Sequence, residues 1–280
     1  MFGTPVENLT ANQIKEELRT LYGVSDFSGC IEQKDLQEKL EKTRETELIT
    51  HGLKYGPLLQ IGNRQSPSGI VTLTHGLGDS ANGWESVAVE LSRRLPHLLF
   101  LLPTASMQPV GINGGAVMNS WYDIRNVNSG NGVTEDAEAI IMSANYLKSL
   151  AYTASRRYQV PAGRVVYAGF SQGAVISLAA GLTARIAPAG VAALSGYFAA
   201  AEKILPQLCN KSLPVLLCHG TMDNIIPFSA AEKTKETLES LGVGPVTLYS
   251  YPMEHSSHPK EINDLEKFLQ QVLPGPSSKS

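Results

Sequence analysis

Gly169-Phe170-Ser171-Gln172-Gly173 is the segment of this 280-residue chain whose residue types and spacing point most directly to chemistry. The apolar run RVVYAGF leads in and the small-residue stretch GAVISLAAGL leads out. A strand, a sharp turn and a helix in that order are the setting of a nucleophile elbow. Glycine two residues either side of Ser171 leaves room for so tight a turn, which pushes the hydroxyl out at the carboxyl end of a strand. A serine hydroxyl is a weak nucleophile near neutral pH. It needs a base within hydrogen-bond reach, and the base needs a carboxylate to hold its tautomer. In this kind of architecture the partners follow in the order Ser, Asp, His, each on a loop after a strand. Asp223 follows the run PVLLC, and His255 follows VTLYS. Both meet the order and the position. His258 is a rival base, but it sits where the next helix begins. His219 is expected to brace the Asp223 loop, and His51 and His97 to lie at the surface.

Attack on a carbonyl creates an oxyanion that needs two preorganised N–H donors. One is expected from the backbone of Gln172, directly after the nucleophile. The other is expected from Leu77, in the loop His75-Gly76-Leu77-Gly78-Asp79 that follows the run IVTLT.

The elements that must carry these groups alternate. Short apolar runs at Gly56–Ile61, Ile70–Thr74, Leu98–Leu102, Val165–Ala168, Val191–Leu194, Pro214–Cys218 and Val246–Ser250 read as strands. Helical patterns lie between them: a face of Trp84, Val87/Ala88, Leu91 and Leu95, then Thr134–Arg156 with Thr134 as N-cap, Gly173–Arg185, Phe228–Leu241 and Pro259–Val272. Uninterrupted apolar strands alternating with helices predict an α/β fold, a mostly parallel sheet covered by helices on both faces. Residues 103–133 break the rhythm with five glycines and no long periodic segment. A loop that long inside a compact α/β domain is usually functional.

Residues 8–45 read differently. Ile14, Leu18 and Leu21 mark one short amphipathic helix, and Ile31, Leu36 and Leu40 mark a second, a small two-helix module whose helices need each other, or a neighbouring surface, to stay folded. Lys42 to Gly52 reads as a linker or helix tail. The hydrolytic elements fill residues 55–274, and the tail GPSSKS at 275–280 is expected to be disordered.

Composition narrows the class. An apolar content of 42% is ample for a core and excludes an intrinsically disordered chain. No apolar run has the length of a membrane helix. The formal net charge of −3 gives no reason to expect nucleic acid as a partner. Cys30, Cys209 and Cys218 make no disulfide framework and have no metal-ligand spacing, so no metal is expected. The N-terminus carries neither a secretory signal nor a lipid-anchor motif, and a cytoplasmic setting is the expectation.

At LTHGLGDSANGW (residues 73–84), LLPTA, NSWYDI, AGFSQGA, ALSGY, HGTMDNIIPF and HSS the chain resembles the acyl-protein thioesterase/carboxylesterase family of α/β hydrolases, which includes small lysophospholipases. The resemblance implies an α/β-hydrolase fold with Ser171 as nucleophile, Asp223 as orienting acid, His255 as base, and the Leu77 and Gln172 amides as oxyanion hole. It departs at YPMEH, which lacks the family's glycine and is one residue shorter, so a differently shaped His255 loop is expected. The chemistry requires no cofactor. The resemblance favours S-acylated proteins as substrates, with lysophospholipids and short esters as the alternative. A third reading is a weakly active hydrolase domain used as a binding module. For an acyl slot the candidates are Trp84, Met107, Val110, Ile112, Val117, Met118 and Trp121; the rival view makes them loop anchors and core.

Residues 8–45 resemble a SAP-like helix–turn–helix module. Six Lys/Arg against eight Asp/Glu leave this segment at −2, which opposes phosphate binding, so a protein partner or a packing role is expected.

Overall fold

The structure, a computed structural model, describes residues 6–22, 24–49, 55–126 and 133–276. After a 3₁₀ turn at Val6–Asn8 come helices α1 (Ala11–Tyr22) and α2 (Gln33–Ile49). Strands β1 (Leu58–Gly62) and β2 (Gly69–Thr74), helix α3 (Glu85–Arg94) and strand β3 (Leu98–Pro103) follow. Two small hairpins come next: β4 (Met107–Val110) with β5 (Ala116–Asn119), then β6 (Ile124–Asn126) with β7 (Val133–Glu135). The rest is α4 (Ala137–Tyr158), β8 (Val165–Phe170), α5 (Gln172–Thr183), β9 (Gly190–Leu194), α6 (Ala201–Ile204), β10 (Val215–Gly220), α7 (Phe228–Ser240), β11 (Val246–Tyr251) and α8 (Pro259–Val272).

The main sheet has the order β1-β3-β2-β8-β9-β10-β11. Only the β1–β3 pairing is antiparallel. The period of two divides each strand between two cores. On β3, Leu99 and Leu101 join the layer under α4 and α5, while Leu98, Phe100 and Leu102 join the layer under α3 and α8. This is why the strands read as unbroken apolar runs. From β2 the chain crosses to β3 on one side, then returns to β8 on the other. The switch point therefore lies between β2 and β8, and a crevice is expected at their carboxyl ends.

Three expectations need correction. The N-cap of α4 is Asp136, whose side chain accepts the Ala139 N–H at 3.0 Å. Thr134 is held in β7, opposite Arg125, and so is not free to cap. Ile31 is 93% exposed and precedes α2, because the Asp35 carboxylate takes the Ile31 and Glu32 N–H groups, both at 2.8 Å, and turns the chain there. The segment 103–133 is not an open loop but two hairpins, of which residues 127–132 lie outside those described. The stretch from Lys42 continues α2 as far as Ile49. His51 and residues 277–280 of the tail are likewise outside the described residues.

Ile14, Leu18, Leu36 and Leu40 are buried together with Val6 and Leu9, so α1 and α2 share a small core of their own. α1 also rests against α4, where Glu16 approaches Arg156 at 3.9 Å.

Candidate active site

The chain leaves β8 at Phe170 and turns at Ser171 with φ 55° and ψ −119°. A non-glycine residue in that region persists only where its surroundings force it. Here the forcing comes from Thr74 at the end of β2. Its Oγ1 lies 3.0 Å from the carbonyl oxygens of Ala168 and Gly173 and 3.2 Å from Ser177 Oγ. A Cβ at Gly169 would overlap both Thr74 Oγ1 and the Gly173 backbone, and one at Gly173 would overlap the Thr74 carbonyl. The two glycines are thus demanded by the neighbouring strand as well as by the turn.

Three loops from β8, β10 and β11 converge on one chain of hydrogen bonds. His255 Nε2 lies 2.9 Å from Ser171 Oγ, and His255 Nδ1 lies 2.7 Å from Asp223 Oδ2. A carboxylate only accepts, so Nδ1 carries the hydrogen and Nε2 accepts from the serine. Asp223 has a fully buried side chain. Its Oδ1 accepts the Ile225 and Ile226 N–H groups at 2.9 and 2.8 Å, which fixes the carboxylate plane. His219, on β10, donates from Nε2 to the Ile226 carbonyl at 2.8 Å and braces the same loop. His258 is not in this chain of bonds. It caps α8, its Nδ1 accepting the Lys260 N–H at 3.1 Å. His97 is half-buried against the Leu273 carbonyl at 2.9 Å, not free at the surface as expected.

The loop 75–79 leaves β2 beside the elbow, since Thr74 pairs with Gly169. An added Cβ at Gly76 would meet Ser171 Cβ at 3.2 Å, so this backbone lies against the serine. His75 sets the loop's shape. Its Nε2 accepts the Ala105 N–H at 2.9 Å, so Nδ1 carries the hydrogen and donates to the Gly76 carbonyl at 2.6 Å. Burial holds the imidazoles of His75 and His219 below the ordinary histidine range, against hydrogen bonds to Gly76 and Ile226 that pull the other way. Both stay neutral in the folded state while an unfolded chain takes up protons. Stability from this source is therefore complete above about pH 6.5 and drains away as pH falls below it. In Glu261→Gln, which removes the opposite linkage of a buried carboxyl held above its ordinary range, thermal unfolding should show a lower midpoint at pH 5 than at pH 7; an equal or higher one contradicts the neutral buried pair.

Gln172 carries a second feature that the sequence reading missed. Its side chain is buried in the protein and reaches across to the segment between the two hairpins. Oε1 accepts the Trp121 N–H at 3.1 Å and lies 3.2 Å from Ser120 Oγ, while Nε2 donates to the Tyr122 carbonyl at 2.8 Å. Its one signal in the sequence is a bulky amide amid small residues at the start of a buried helix. Gln172→Ala strands these buried groups and should cost about 2–4 kcal/mol of unfolding free energy. Denaturant titration measures this; a loss under about 1 kcal/mol means that the segment is held by other contacts.

The acyl-slot candidates separate. Trp121 and Val110 are 0% exposed and present no surface to a ligand. Trp121 is a loop anchor whose Nε1 donates to the His75 carbonyl at 2.9 Å. Trp84 is also buried, packing at 5.4 Å between ring centroids on Phe170, which in turn lies 4.8 Å from the His255 ring. It supports the base instead of lining a slot. Met107, Ile112 and Val117 are exposed, and Met118 is half-buried. Of the seven, Met107 lines an open cleft of about 590 Å³ beside the 75–82 loop, with Leu59, Ala81, Thr104, Ala105 and Asn119.

The arrangement matches a characterised group of proteins. A model of the phospholipase/carboxylesterase family matches residues 60–273. Acyl-protein thioesterase 1 of Mycosarcoma maydis is 38% identical over 223 residues, spanning 74% of this chain and 92% of that protein. Acyl-protein thioesterase 1 of Emericella nidulans is also 38% identical, over 73% of this chain and 90% of that one. Among solved structures, SOBER1 of Arabidopsis thaliana superposes with a TM-score of 0.66 at 29% identity, covering 73% of this chain and 99% of that one. Acyl-protein thioesterase 2 of Zea mays shares the fold with a TM-score of 0.65 at 23% identity, over 78% and 100% of the two chains.

Proposed function

The chain belongs to the phospholipase/carboxylesterase family of α/β hydrolases, and on that footing we propose that it is an acyl-protein thioesterase, a serine hydrolase that removes S-linked acyl groups from proteins. Ser171 attacks the thioester carbonyl while His255 Nε2 takes its proton. Asp223 holds the imidazole in the required tautomer and stabilises the imidazolium that forms. The Leu77 and Gln172 amides receive the oxyanion, aided by the N-terminus of α5. His255 returns the proton to the departing thiol, and a water activated by the same imidazole then releases the fatty acid and restores Ser171.

The observation that carries this reading is the continuous Ser171–His255–Asp223 hydrogen-bond chain on a strained elbow. The cleft bordered by Met107 adjoins the loop that bears Leu77, and we assign it to the acyl chain. The second reading, an esterase acting on lysophospholipids, is favoured by the breadth of the family itself. Turnover of a palmitoylated cysteine peptide and of lysophosphatidylcholine separates the two. The thioester should win in kcat/KM by roughly tenfold or more; the reverse order transfers the assignment to lipid esters. A fluorophosphonate probe that failed to label the chain would leave only a binding module.

Residues 8–45 form, in this reading, a separate module for docking a protein, packed on the side of α4. Removing residues 1–54 should leave turnover of the palmitoylated peptide within about threefold of the full chain, because the catalytic domain has its own cores. A tenfold loss would tie the module to catalysis.

A further inference from the structure

The base loop is fastened at two ends by unlike means. Its first half is held by backbone: Thr221 N–H donates to the Tyr251 carbonyl at 2.8 Å and Met222 N–H to the Met253 carbonyl at 3.1 Å. Its second half meets no such strand. Between Met253 and His258 the bonds are Ser256 N–H to the Glu254 carbonyl at 2.8 Å and the His255 ring bonds themselves. What secures that end is the first turn of α8, a capping box in which Glu261 Oε2 accepts the His258 N–H at 3.4 Å.

Glu261 is an unusual residue for the task. It is 0% exposed, and its Oε1 has no hydrogen-bond partner among the described residues. The groups around it are a poor match for a negative charge. From β10 comes the buried thiol of Cys218, whose Sγ lies 3.4 Å from Tyr251 Oη; from β11 comes Tyr251 itself, which donates to Asp264 Oδ2 at 3.0 Å. Asp264 and His258 are the titratable neighbours on α8, and the His258 ring stacks on Tyr251 at 5.9 Å. Arg94, from α3, meets α8 at Asn263 and Glu266, not at Glu261. Among the described residues no cation pairs with this carboxyl, and Cys218, which it neighbours, is flanked by the Tyr251 phenol and the Asp264 carboxylate. Burial pushes the Glu261 carboxyl up to about 8, against the His258 N–H, which favours the charged form. Burial likewise raises the Cys218 thiol, with Glu261 as the next cause, and the Tyr251 phenol, so neither is ready to titrate first.

We propose that Glu261 is a positioning residue for the base: as a neutral, buried carboxylic acid it ties the start of α8 beneath the His255 loop, and its ionisation loosens that tie and shuts down catalysis on the alkaline side. A carboxylate left at this buried site has no partner for Oε1 among the described residues, a state that folded proteins relieve by local opening. The element that opens is the first turn of α8, and with it the segment Glu254–Ser257. His255 Nε2 must stay within hydrogen-bond reach of Ser171 Oγ, so a shift of about 1 Å there is enough to lose the proton transfer.

This inference rests on the reading of Ser171, His255 and Asp223 as a hydrolytic triad, so its test has one readout that depends on turnover and one that does not. The first is kcat/KM for a soluble short-chain thioester from pH 6 to 10, corrected for spontaneous hydrolysis, in the wild type, Glu261→Gln and Glu261→Ala. The wild type should lose roughly thirtyfold between pH 7.5 and pH 9.5, as one proton leaves a group titrating near 8. Glu261→Gln keeps the acceptor for the His258 N–H and cannot ionise, so its profile should stay flat across that range. Glu261→Ala loses the cap and should be slower by about tenfold at pH 7, with Glu261→Gln restoring the rate. The second readout is amide hydrogen exchange of residues 253–262, corrected for intrinsic rates. Protection should fall by about tenfold from pH 7 to 9.5 in the wild type and not in Glu261→Gln. Superimposable wild-type and Glu261→Gln curves in exchange overturn the inference, as does an alkaline limb in turnover that Glu261→Gln shares. Exchange curves that differ as described in a chain with no hydrolytic activity at any pH overturn the catalytic reading instead.

Discussion

Ser171→Ala should lower kcat for a palmitoylated peptide by about 10⁴–10⁶-fold and abolish labelling by a fluorophosphonate probe. The expected size follows from what the substitution removes and what it leaves. The Oγ that lies 2.9 Å from His255 Nε2 disappears, and with it the atom that would form the acyl-enzyme. The oxyanion donors stay, because they are backbone groups, and they account for the residual rate. The fold should be unharmed. Ser171 is already in a left-handed conformation, and alanine has no larger Cβ to place there, so the unfolding free energy should change by less than about 1 kcal/mol. Activity within about a hundredfold of the wild type would remove Ser171 from the reaction.

Asp223→Asn should cost about 10⁴-fold in kcat at neutral pH while leaving the protein folded and still able to bind substrate. The reason is tautomeric. The aspartate is anchored by the Ile225 and Ile226 N–H groups through Oδ1, and an asparagine oxygen there keeps both bonds. Its amide nitrogen then faces His255 Nδ1, where the carboxylate Oδ2 stood at 2.7 Å. A donor in that place turns Nδ1 into an acceptor and moves the imidazole hydrogen to Nε2, which can no longer take the proton of Ser171. Circular dichroism and the midpoint of thermal unfolding check the fold; a loss of less than about tenfold would mean that another group orients the base. His219, 3.4 Å from Asp223 Oδ2, is the neighbour that such a result would indict.

Much of this site was legible without coordinates because its parts obey local rules. The G-x-S-x-G turn, the Asp223 loop and the His255 loop each follow a short apolar strand, and strands of that kind end on one rim of a parallel sheet. His258 was the rival base, disfavoured by its place before Pro259, and the structure puts it at the N-cap of α8. The two glycines of the elbow were legible for a partial reason. The turn itself was visible in the sequence, but the contact with Thr74 was not, since that residue lies on a strand nearly a hundred positions earlier.

The failures share a cause. Trp84, Val110 and Trp121 are large apolar residues near the site, and residue type alone does not tell a ligand-facing side chain from a buried one. The hairpin of β4 and β5 turns Val110 inward and leaves Val117 exposed. Ile31 fitted a helical spacing, yet the Asp35 carboxylate takes the Ile31 and Glu32 N–H groups and holds Ile31 outside the helix, before its first turn. Thr134 had the chemistry of a cap, but pairing with Arg125 took its backbone into a strand.

The order of residues along the chain therefore determined which elements form, in what sequence, and which three side chains end at the same rim, because periodicity, turn chemistry and strand–helix alternation are properties of neighbouring residues. The tertiary structure alone decided what those side chains rest on: the Gln172 clamp on residues 120–122, the tautomer of His75, and the burial of Glu261 beneath the base loop. Each of these depends on groups far apart in the chain being brought within hydrogen-bond distance and out of water, and burial and distance are set by the packed whole, not by any local segment.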